Sequence, residues 1–68
     1  MQTRMRKVER EAFVLQRARK LAKTGRHINY LTIERELVRN GFYEARQWLD
    51  RYYLRRELQQ ICNKARAA

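Results

Sequence analysis

The residues of this 68-residue chain whose types and place could do chemistry are its one histidine, His27, its one cysteine, Cys62, and the central carboxylates Glu34, Glu36 and Glu44. A Cys–His nucleophilic pair needs a general base in reach, a third group to orient that base, and donors for an oxyanion. With one histidine and one cysteine, neither residue has a second of its kind to complete a metal site. Cys62 falls on the apolar stripe of the last helical run and reads as a small buried hydrophobe. His27, in a basic connection, reads as a surface residue or a phosphate contact. The three glutamates stand among arginines, which suits surface pairing better than acid–base work. No CxxC, HExxH or glycine-rich phosphate loop occurs. The expectation is a non-enzyme with no cofactor, no metal and no small-molecule substrate.

Charge gives the stronger lead. Seventeen Lys and Arg face seven Asp and Glu, for a formal charge of +10. So large an imbalance repels itself and points to an acidic partner, with nucleic acid first and an anionic membrane or acidic protein behind it. The segment from Thr24 to Leu49 supplies the frame for such a partner. Asn29 reads as an N-cap, with Ile28 placed to staple onto Ile33. Asn40-Gly41-Phe42 reads as a Schellman stop in which Phe42 meets Leu37. Helix, glycine turn and a further helix make a helix-turn-helix-like centre. On its second helix Arg46 would reach guanine and Gln47 adenine. Lys20, Lys23, Arg26, Arg39, Arg51, Arg55 and Arg56 are expected at phosphates, which fix position and carry no sequence information. The fit to the usual pattern is imperfect, because Glu36 and Asn40 then occupy positions where apolar residues are expected. DNA is favoured over RNA, and the expected role is that of a small DNA-binding regulator. The rival reading is a protein-interaction module, a homodimer or a binder of an acidic protein. It would use Trp48, Tyr52, Tyr53 and the arginines around them, since aromatics mixed with Arg mark interface hot spots and also stacking platforms.

The elements that must position these residues are all helical. Proline is absent, glycine occurs twice, and no alternating β-branched run marks a strand. The expected fold is a single all-α domain of three or four helices. Residues 1–7 form a basic arm or frayed turn and residues 8–68 the domain, with helices at about 8–24, 30–40, 43–49 and 51–65. In the first, Val8, Ala12, Leu15 and Ala22 mark one side, broadened by Val14, Ala18 and Leu21. Phe13 projects away from that stripe, to cover the end of another helix or meet a partner. After Gly41, Ala45, Trp48, Leu49 and Tyr52 form one stripe, while Leu54, Leu58, Ile61, Cys62 and Ala65 form another on nearly the opposite side. A break at Asp50, acting as N-cap with Leu49 stapled to Leu54, is preferred over one bent helix. The last residues, 64–68, are expected to fray. Leu15, Ile33, Leu37, Phe42, Trp48, Leu49, Leu54, Leu58 and Ile61 make up the expected core. So short a chain buries only about 60% of its unfolded surface, which makes self-association plausible.

The segments R-A-R-K-L-A-K-T-G-R-H (17–27), I-E-R-E-L (33–37), G-F-Y-E-A-R-Q-W-L-D (41–50) and R-R-E-L-Q-Q-I-C (55–62) resemble small uncharacterised bacterial helical proteins. That resemblance implies a bacterial cytoplasmic protein and assigns no catalytic residue. The lone cysteine suits a reducing compartment. No apolar run approaches the ~20 residues of a membrane span.

Overall fold

Helix boundaries follow from local chemistry in the computed structural model, which describes residues 6–67. Four helices occur in the order α1 (Lys7–Lys23), α2 (Tyr30–Arg39), α3 (Ala45–Trp48) and α4 (Tyr52–Ala67), with no strand among the described residues. Asn29 caps α2, its side-chain oxygen accepting from the amides of Leu31 at 3.0 Å and Thr32 at 3.2 Å. The other end is a full Schellman stop. Phe42 N–H donates to the Leu37 carbonyl at 2.9 Å and Gly41 N–H to that of Val38 at 3.0 Å. Gly41 has φ +96°, the left-handed conformation that such a stop requires. Ile28 stays 58% exposed, so the expected staple onto Ile33 does not bury it.

The break after α3 falls where the two opposed apolar stripes demand it. Leu49 closes α3, and α4 starts at Tyr52, where the Arg51 carbonyl accepts from the Arg55 amide. Asp50 does not act as the expected N-cap, because its carboxylate pairs with the Arg55 guanidinium. Nor does the C-terminus fray at residue 64. Helix α4 continues to Ala67, with Ala65 packed beside Gly25. Most of the expected arm, residues 1–5, and Ala68 lie outside the described residues; Arg6 is the exposed residue before α1.

Three cross-links set the packing. Glu11 accepts from Arg51, Arg19 donates to Glu57, and the Gly25 backbone lies against Ala65. Both numbers rise together, so α1 and α4 run parallel and end at the same pole of the molecule. Helix α2 returns antiparallel, since Arg10 near the start of α1 donates to the Gly41 carbonyl at its far end, 2.8 Å away. Between them lies a core of Val14, Ala18, Leu21, Ala22, Ile33, Leu37, Ala45, Trp48, Leu49, Leu54, Leu58 and Cys62. Leu15, Phe42 and Ile61, expected inside, pack against it half-buried. The buried face of α1 is centred on Val14, Ala18, Leu21 and Ala22, and the expected Val8 and Ala12 are exposed. Phe13 covers the end of α2, its ring 5.5 Å from that of Phe42.

Candidate nucleic-acid interface

The acidic residues are largely consumed inside the molecule. Arg6 pairs with Glu9, Arg10 with Glu44, Arg19 with Glu57, Arg51 with Glu11, Arg55 with Asp50 and His27 with Glu36. Half-exposed pairs of this kind contribute little each, of order 0–1 kcal/mol. Their larger effect is to decide which cations stay without an acidic partner.

Lys20, Lys23 and Arg26 are exposed, and among the described residues no acidic group lies within ion-pair reach of them. The local sequence builds this arrangement. Lys20 and Lys23 are one turn apart on the outer face of α1. Thr24 Oγ1 donates to the Leu21 carbonyl at 2.6 Å and accepts from the Arg26 amide at 3.2 Å. Gly25, at φ +76°, then turns the chain so that Arg26 follows directly. Lys64 joins them across the seam, bordering with Lys23 a shallow apolar depression floored by Ile61 and Ala65. Arg66 adds a further exposed cation in the last turn of α4. This pole carries two helix C-termini, whose partial negative charge favours cations in the final turns.

The remaining expected contacts are elsewhere. Arg39 is exposed at the far end of α2, beside Arg35 on the same outer face. Arg46 and Gln47 are exposed on α3, at the level of Arg10. By helix rise that is about 20 Å along α1 from Lys23. Arg56 is exposed and lies 5.9 Å from the centroid of the Tyr52 ring. Arg51 and Arg55 are engaged by Glu11 and Asp50, and Arg55 also covers the Tyr30 ring at 5.2 Å. The surplus charge therefore forms one dense group and several isolated positions.

Two further expectations are corrected. His27 is buried, 7% exposed, with Nδ1 2.8 Å from Thr32 Oγ1 and Nε2 3.5 Å from Glu36 Oε1. Because the Thr32 hydroxyl donates to the Asn29 carbonyl, it faces the ring as an acceptor. His27 thus ties the α1–α2 connection to α2 and is not a surface contact. Trp48 is a core residue at 4% exposure and offers no interface, whereas Tyr52 and Tyr53 are both open.

Sequence reasoning missed Lys64 and Arg66, although two cations in a closing turn beside a packing stripe were visible. It also missed that Glu34 and Arg46 border one cavity between α2 and α3.

Among the described residues, no group of three or more His, Cys, Asp or Glu could hold a metal ion, and no helix is long and apolar enough to cross a membrane. Burial pushes the Cys62 thiol above its ordinary pKa, which keeps it protonated and slow to react. Glu44 is held below the usual carboxylate range, first by its own backbone amide and then by Arg10. A lowered folded-state pKa gives stability that is present above the unfolded value and lost as pH falls through the folded one. The melting temperature should therefore decline as the solution is acidified below about pH 4.5. Glu44→Gln should lose part of that decline, read by circular dichroism melts across pH; an unchanged acid limb would refute the assignment.

No family model matches the chain, and neither a curated protein nor a solved structure matches it.

Proposed function

We propose that the chain binds nucleic acid, DNA in the first place, without catalysing a reaction, by holding backbone phosphates with its unpaired cations. The observation that carries this reading is the way the acids are spent. Arginines pair with five of the seven acidic residues and Glu36 lies against His27, while Lys20, Lys23, Arg26, Lys64 and Arg66 are exposed near the pole where α1 and α4 end. Helix α3 spans four residues, about one turn, which is short for a reader lying along a major groove. Arg46 and Gln47 accordingly act from a corner of the fold. The same reading takes the chain as a bacterial cytoplasmic protein.

The test is affinity against salt. Five phosphate contacts give a log–log slope of roughly −4 to −5 on duplex, at about −0.9 each. Lys23→Gln should flatten the slope by about 1 and weaken all sequences alike. A flat profile for duplex and single strand would reject the proposal. The exposed pair Tyr52 and Tyr53 favours a second reading, a protein contact or homodimer, which a flat salt profile with concentration-dependent sedimentation would support.

A further inference from the structure

Between α2, α3 and the start of α4 lies a cavity of about 240 Å³, bordered by Tyr30, Glu34, Arg46, Leu49, Asp50 and Arg55. Sites for drug-sized ligands run to about 300–1,000 Å³, so this one suits a single ring system. Its walls carry hydrogen-bonding groups of both signs. Glu34 is the one side-chain carboxylate among the described residues with no arginine, lysine or histidine nitrogen within 4.0 Å. Arg55 Nε is buried from solvent and has no acceptor, although its guanidinium pairs with Asp50. Arg46 borders the same space and has no acidic partner. Glu34 needs donors and the two arginines need acceptors. Glu34 and Arg46 reach water, whereas Arg55 Nε is buried and unmatched, which is unfavourable, so an occupant with acceptors beside donors is favoured over an apolar one.

We propose that this cavity receives a guanine base of a single-stranded nucleic acid, an inference that rests on the nucleic-acid reading above. Guanine presents the N1–H and N2 amino donors beside the O6 and N7 acceptors on one ring system. Glu34 takes the donors, and Arg46 takes O6 and N7 in the pairing that guanidinium groups make with guanine. Adenine has no N1–H, and cytosine and thymine lack the second ring. In a duplex the N1–H edge is occupied by base pairing, so only a strand with its bases splayed outward can offer it. Tyr30 borders the space with its ring covered by Arg55, whose guanidinium plane is a surface of the kind on which unpaired bases rest.

The test uses the full chain and labelled short oligothymidine strands. One strand carries a single guanine, and the others carry adenine, cytosine or hypoxanthine at that place. The guanine strand should bind about tenfold tighter than the others, hypoxanthine losing the N2 contact. Glu34→Gln and Arg46→Gln, each checked for helicity, should abolish that preference, while Glu34→Gln leaves the salt slope unchanged. Equal affinity for all four strands with a steep salt slope would overturn the guanine site and leave phosphate binding standing. A guanine preference that survives Glu34→Gln would also overturn it. No salt-dependent binding of any strand would overturn both.

Discussion

Leu37→Ala is expected to lower the unfolding free energy by about 2–5 kcal/mol, the range for removing a large aliphatic side chain from a packed core. Leu37 has no exposed surface and sits where α2 meets the rest of the core. Its carbonyl also receives the Phe42 amide, so the cavity would open beside the stop that aims the chain into α3. A core of this size supplies roughly 3–5 kcal/mol net, so the variant should be substantially unfolded at room temperature. Urea titration followed by helical circular dichroism reads the change directly. Leu31→Ala, at a position 45% exposed on the same helix, is the control and should move the midpoint little. A Leu37→Ala shift below about 1 kcal/mol would mean that α2 is not packed as described.

Gly41→Val is expected to cost roughly 1–2 kcal/mol by a different route, the strain of a left-handed backbone on a residue with a Cβ. Space is not the obstacle, because a Cβ at Gly41 would meet nothing within 4 Å. The loss should therefore appear without a cavity, and Gly41→Asn, which tolerates this conformation, should recover part of it. Arg10 raises the stakes at this corner. It donates to the Gly41 carbonyl, meets both Glu44 oxygens at 3.1 Å, and stacks 4.9 Å above the Phe42 ring. If the backbone at residue 41 shifts, those contacts go with it. Equal stability of Gly41→Val and the parent chain in thermal melts would rule out the Schellman stop.

The features readable from sequence were those decided by neighbours in the chain. Asn29 and Asn40-Gly41-Phe42 act over a few residues, so their types alone forecast both ends of α2. The break before α4 was forecast from two incompatible stripes, but Asp50 was drawn off by Arg55, a side chain one turn ahead. What failed depended on distant packing. Periodicity offered Val8, Ala12 and Leu15 as well as Val14, Ala18 and Leu21 for the inner face of α1. The choice was made by where α4 begins. Glu11 reaches Arg51 immediately before α4, so Val8, a turn earlier, has no helix above it and is 79% exposed. His27 was read from its basic neighbours as a surface group, yet Thr32 and Glu36, four apart on α2, hold both ring nitrogens. For the interface, Lys20, Lys23 and Arg26 were found because they are close in sequence. Lys64 and Arg66 join them only through the parallel docking of α4, which no local pattern announces. The pairing of Arg51 with a carboxylate forty positions away was equally out of reach.

The side-by-side course of α1 and α4 bears on how the chain folds. Helix α1 is covered by α4 on one hand and by α2 and α3 on the other, and its pairing with α4 spans some forty positions of chain. Docking α4 onto α1 closes a loop of some forty residues, at a modest entropic penalty. Truncation ahead of Leu54 would take Leu54, Leu58 and Cys62 out of the core and leave an open-sided fragment of the kind that cellular proteases remove.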